Sequence, residues 1–129
     1  MTRRILVIED QEDNRRIVRD LLTSKGYVII EAVSGEDGIA LATLHRPDLI
    51  LMDIQLPGLD GYEATRRIKT DPALRHIPII VVTSYALSDD DTKAFAAGCD
   101  AYVSKPYSPR KLLAKIREFL DEESPQAPS

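Results

Sequence analysis

Apolar and polar positions fall in blocks along the chain rather than alternating residue by residue. Three uninterrupted apolar runs stand out, Ile5-Leu6-Val7-Ile8, Leu49-Ile50-Leu51-Met52 and Ile79-Ile80-Val81-Val82. Short apolar runs bounded by polar and turn residues read as strands buried on both faces. The β-branched stretch over residues 27–33 and the short stretch over 100–104 add two more strands, and the Ile79 run extends over 77–83. Between the strands the spacing turns helical. Ile17, Val18, Leu21 and Leu22 make the apolar face of a helix over about 12–25, with Gly26 as its C′ stop. A weaker helix spans about 36–46 and ends at Pro47. Asp60 is an N-cap, with Glu63 three residues on as in a capping box, and Asp71-Pro72 closes that helix near 70. Ser88 and Asp91 suggest another capping box, opening a helix that ends near Gly98. Ser108 caps the last helix, with Pro109 at its first position and Leu112, Leu113, Ile116, Phe119 and Leu120 on its apolar face.

The order is strand then helix, five times over. Such alternation implies an α/β fold, a parallel sheet with helices on both faces. One domain over residues 1–122 accounts for the pattern, and a polar, proline-containing tail over 123–129 reads as disordered. In sheets of this kind ligands sit beyond the C-terminal strand ends, where the strand order reverses. Five chemically active residues stand at those ends: Glu9 and Asp10 after the first strand, Asp53 after the third, Thr83 after the fourth and Lys105 after the fifth. Asp53 is the most telling, because a carboxylate at the tip of a buried strand costs several kcal/mol unless it has a partner, a metal or a job.

Composition narrows the classes. No apolar run approaches the roughly 20 residues that span a bilayer, and the four apolar residues behind Met1-Thr2-Arg3-Arg4 are too few for a signal-peptide core. A cytoplasmic chain without a membrane partner is expected. The single Cys99 excludes an internal disulfide and reads as a small core residue. A net charge of −4 without any basic run disfavours direct nucleic-acid binding. His45 and His76 lack acid or Cys partners at ligand spacing and read as surface residues. Arg15 and Arg16 read as solvated surface at the start of the first helix.

Three carboxylates in one pocket repel, by roughly 3 to 4 kcal/mol per pair at 4 to 5 Å and an effective dielectric near 20. A hard divalent cation, Mg²⁺ or Mn²⁺, relieves this through oxygen ligands. Cation and ammonium together favour a phosphoryl group. Asp53 is then the candidate nucleophile, forming an acyl phosphate, with Lys105 paired to one phosphoryl oxygen and Thr83 hydrogen-bonded to another.

Four motifs carry a resemblance: Leu6-Val7-Ile8-Glu9-Asp10, the run from Leu51-Met52-Asp53 through Pro57-Gly58-Leu59-Asp60-Gly61, Val82-Thr83-Ser84, and Val103-Ser104-Lys105-Pro106. Over about residues 3–121 the chain resembles the receiver domains of two-component response regulators, the CheY-like superfamily. The resemblance implies a flavodoxin-like, doubly wound (βα)5 sandwich with strand order 2-1-3-4-5. It implies that Asp53 is the phosphoacceptor, served by a sensor histidine kinase or a histidine phosphotransfer protein. It implies a metal site made by Asp10, Asp53 and the backbone carbonyl of Gln55, with Glu9 acting through water. Thr83 and Tyr102 would be the switch pair, and Lys105-Pro106 a cis peptide. Phosphorylation would switch contacts with a downstream protein through the face made by the fourth helix, fifth strand and fifth helix. Kinase contact through the first helix is a further implication, and the chain would act as a monomer or homodimer. The stretches 82–87 and 98–109 look closer to stand-alone cell-division receivers than to receivers fused to DNA-binding domains, so the expected output is protein contact. Self-catalysed phosphoryl transfer aside, the chain would not be an enzyme.

The rival readings are a phosphorylation-independent adaptor, a Mg²⁺-dependent phosphatase with an aspartyl nucleophile, and a flavin carrier. The phosphatase would need a general acid two residues after Asp53, where Gln55 stands. The flavin carrier would need a phosphate loop after the first strand, where Glu9-Asp10-Gln11-Glu12-Asp13 would repel one.

Overall fold

The computed structural model describes residues 3–83, 95–104 and 108–120. Five strands, β1 (Arg4–Ile8), β2 (Val28–Ala32), β3 (Leu49–Asp53), β4 (Ile79–Thr83) and β5 (Ala101–Ser104), form one sheet in the order β2-β1-β3-β4-β5. Every pairing is parallel, the flavodoxin-like order anticipated from the motifs. Four helices are described: α1 (Glu12–Ser24), α2 (Gly35–His45), α3 (Gly61–Thr70) and a C-terminal helix (Pro109–Leu120). The helix expected over 88–98, with its Ser88–Asp91 capping box, falls mostly on residues 84–94, outside the described residues. The tail over 123–129 lies wholly outside them.

Two apolar layers flank the sheet. On one face Val18 and Leu22 of α1 and Leu112, Leu113, Ile116 and Leu120 of the C-terminal helix pack on Ile5, Val7, Leu49, Leu51 and Ile80. On the other, Ala42 of α2 and Ala64 and Ile68 of α3 meet Leu6, Ile8, Ile50, Met52, Ile79 and Val81. The two sets alternate along β1, β3 and β4, so the runs 5–8, 49–52 and 79–82 are apolar without a break because both faces are covered. β2 at the sheet edge shows the lighter burial of a strand with one neighbour.

Local chemistry ends the helices as their sequences suggest. Gly26, at φ +93°, follows the C-cap of α1 in the left-handed region that glycine adopts most easily. Asp60 caps α3, its Oδ1 accepting the Glu63 amide at 2.9 Å. The Glu63 carboxylate does not complete a reciprocal box but pairs with Arg66 and Arg67 one turn on. Ser108 Oγ accepts the Lys111 amide at 3.0 Å.

One expectation changes. Ile17 is 61% exposed rather than part of the α1 core face. At 100° per residue it sits one step round the helix from Val18, and the stripe that meets the sheet is narrow enough to bury Val18 and Leu22 alone. Ser34, just past β2, is the N-cap of α2, its side chain accepting the Asp37 amide at 3.1 Å.

Candidate metal and phosphoryl site

The strand registers bring the acids together. Ile8 pairs with Met52, so Glu9 falls level with Asp53; Asp53 pairs in turn with Val82, which places the Thr83 backbone one step beyond it. Thr83 pairs with Ser104, the residue before Lys105. β1 and β3 flank the point where the strand order reverses, the crevice where open α/β sheets place their ligands.

Carboxylate oxygens of Glu9, Asp10 and Asp53 all lie within 4.8 Å of one another. Glu9 is 6% exposed and Asp53 5%, while Asp10 is half-buried. A small cavity of about 20 Å³ adjoins them, lined by Glu9 and Asp53 together with Val7, Val18, Leu51 and Leu112. Apolar walls lower the local dielectric, so charge at this edge interacts more strongly than at an open surface.

Backbone groups shape each acid. The Gln11 amide donates to Glu9 Oε2 at 3.1 Å, and the Gln55 amide to Asp53 Oδ1 at 3.3 Å. The Glu9 amide donates to Ala32 O at 3.0 Å, carrying the β1–β2 ladder one residue past the strand. After β3 the chain turns back on itself: the Gly61 amide donates to Ile54 O at 3.0 Å, and Gly58 has φ +70°. A Cβ at Gly61 would stand 2.2 Å from Asp53 O and 2.7 Å from Ile54 Cα. Only glycine lets the start of α3 approach the backbone that carries Asp53.

Of the remaining candidates, Gln55 is exposed and next but one to Asp53, and Tyr102 in β5 is half-buried, packed against the α2–α3 side of the core. Lys105 and the peptide to Pro106 lie outside the described residues, as does the Thr83 side chain. His76 is exposed and His45 half-buried at the end of α2. Cys99 is buried, and desolvation pushes its thiol up to about 11, which suits a packing role.

Arg15 departs from the surface role expected of it. Its side chain is only 13% exposed and reaches back over the β1–α1 loop, where Nη1 donates to Glu9 O at 2.9 Å and Asp10 O at 3.3 Å. Arg16, one residue on, is exposed as expected. The signal for Arg15 was latent in the spacing: one helical turn into α1 its side chain leans back toward the helix N-terminus, and hence toward the acids.

A family model described as the response regulator receiver domain matches residues 5–117. The chain belongs to the response regulator receiver domain family. The polar-differentiation response regulators DivK of Brucella ovis and Brucella anthropi are each 43% identical to it over 122 residues, covering 95% of this chain and 99% of theirs. They agree with the finer likeness seen in the stretches 82–87 and 98–109. Among solved structures, the receiver domain of the sensor histidine kinase PA1611 from Pseudomonas aeruginosa PAO1 superposes with TM-score 0.87 at 34% identity, covering 94% of this chain and 99% of that one. That structure has a magnesium ion coordinated in its active-site cleft. A CheY-like receiver from Methanospirillum hungatei JF-1 gives TM-score 0.88 at 32% identity, covering 96% and 98%. Among the described residues no helix of this receiver is long and apolar enough to cross a membrane.

The donor set of this receiver fits a hard divalent cation. Its three side chains offer only oxygen, two of them are buried, and their spacing matches one shared ion. At 4.8 Å each ionised pair would repel by about 3 to 4 kcal/mol at an effective dielectric near 20.

Proposed function

We propose that the protein is a phosphorylation switch. Asp53 accepts a phosphoryl group from the phosphohistidine of a sensor histidine kinase or histidine phosphotransfer protein. The convergence of the Glu9, Asp10 and Asp53 carboxylates within 4.8 Å at the strand-order reversal carries this reading. Mg²⁺ or Mn²⁺ would be held by Asp10, Asp53 and the backbone carbonyl of Gln55, with Glu9 acting through water. When bound, the cation neutralises charge on the phosphoryl oxygens.

An Asp53 carboxylate oxygen attacks phosphorus, the P–N bond to the donor imidazole breaks, and the imidazole leaves. Lys105 pairs with a second phosphoryl oxygen and Thr83 donates its hydroxyl to a third. Drawing Thr83 toward the phosphate frees space for Tyr102 to turn inward. This biases the face made by residues 88–98, β5 and the C-terminal helix, which is read by a downstream protein. Shifting such an equilibrium from 1:99 to 99:1 takes about 5.5 kcal/mol of differential interaction. By likeness to the DivK relatives, the output is a regulatory protein contact in polar differentiation. A turnover phosphatase lacks its acid: Gln55, two residues past Asp53, is an amide too weakly acidic to protonate a leaving group.

The test is transfer from a phosphorylated histidine donor followed by borohydride reduction of the acyl phosphate and peptide mapping. Reduction at Asp53 is expected. Transfer that maps to another residue, or none from any donor of the host, overturns the reading.

A further inference from the structure

The loop between β1 and α1 carries two of the three acids, and their repulsion tends to open it. We propose that Arg15 is the positioning residue of the acidic site: anchored on Glu31, its guanidinium holds the backbone of Glu9 and Asp10 so that their carboxylates stand at cation-binding distance from Asp53. The proposal rests on reading that site as a divalent-cation site.

Three hydrogen bonds carry it. Arg15 Nε donates to Glu31 Oε1 at 3.0 Å, while Nη1 donates to the consecutive carbonyls of Glu9 at 2.9 Å and Asp10 at 3.3 Å. Glu31 is itself fixed, because β2 pairs it with Val7 in the strand that leads to Glu9. Its second oxygen accepts Arg19 Nη1 at 2.9 Å. α1, β2 and the acidic loop thus meet at one guanidinium, whose planar fork is suited to several acceptors at once.

Charge alone would give Arg15 the opposite effect. A cation beside a metal site repels the metal, and Glu31 balances that charge while leaving the fork in place. Arg15→Lys therefore separates the two contributions: it keeps the charge and loses the simultaneous grip on Glu31 and two carbonyls. Outer-shell partners of metal ligands typically change metal affinity by about 10- to 100-fold.

The experiment is calorimetric titration of the full chain with Mg²⁺ alone, beside thermal unfolding without metal. Wild type binds Mg²⁺. Arg15→Lys is expected to weaken binding about tenfold while still unfolding cooperatively. Glu31→Gln, which touches no acid of the site, is expected to weaken it as well. The double variant should be no weaker than Arg15→Lys alone, because both changes release the same clamp. Arg16→Lys, an exposed neighbour, should bind as wild type does. Wild-type affinity in Arg15→Lys, or additive losses in the double variant, would overturn the clamp while leaving the cation site standing. Should Arg15→Lys not fold, unchanged affinity in Glu31→Gln overturns it equally. Wild type that binds no Mg²⁺ overturns the cation-site reading, and the clamp with it.

Discussion

Gly61 shows how a residue without chemistry governs one with it. Its missing side chain leaves room for Asp53 O, which a Cβ would meet at 2.2 Å, and the atoms in the way are backbone that cannot rotate aside. Overpacking of this kind costs about 1–3 kcal/mol. Gly61→Ala should lose about that much in urea unfolding and also displace the Asp53 backbone, so phosphoryl labelling should fall along with stability. Thr65 makes the opposite case. Among the described residues its buried Oγ1 has no hydrogen-bond partner. Thr65→Val should raise stability by about 1 kcal/mol in the same assay, since it removes an unsatisfied hydroxyl at nearly constant volume. Cys99 is expected to resist iodoacetamide at pH 8 in the native state and to react on unfolding, because its thiol stays protonated up to about 11. The acids of the site were legible as single residues in the sequence, since carboxylates at the tips of apolar strands lack a packing reason. Arg15 was not: a basic residue on an amphipathic helix looks like solvated surface until the loop it reaches has a shape.

Elements were legible where a period and a cap agreed. α3 has both, with Asp60 at its start and Ile68 and Ala64 facing the core. α1 had the period but gave a face one residue too wide, because periodicity locates a stripe without stating how broad a surface the sheet presents. α2 was the faintest helix in the sequence, its small residues lying close against β1 where a larger side chain would not fit. The tie between α1 and β2 makes a prediction about pH. Glu31 is held below the ordinary carboxylate range, first by the hydrogen bond from Arg19 and then by that from Arg15. A depressed carboxylate gives stability that is present above its unfolded value, about 4.5, and lost as pH falls through the folded one. The stability advantage of wild type over Glu31→Gln should therefore be constant above about pH 5 and shrink below 4.5 in acid unfolding curves. An advantage that grew on acidification would reverse the sign of this account.

At the scale of the whole molecule, strand–helix alternation implied a parallel sheet but left its order open, because alternation alone does not say on which side of β1 the next strand lies. The receiver motifs supplied the order 2-1-3-4-5, which the sheet shows. That order makes the site: with β1 beside β3, acids about forty residues apart in the chain end level with one another. The account stands or falls on Asp53 as the residue that takes the phosphoryl group. The direct measurement is Mg²⁺-dependent labelling by acetyl phosphate, quantified as phosphoryl per chain for wild type and Asp53→Asn. Stoichiometric labelling of the wild type that chelation of Mg²⁺ abolishes, with none in Asp53→Asn, is predicted. Full labelling of Asp53→Asn would contradict the central claim.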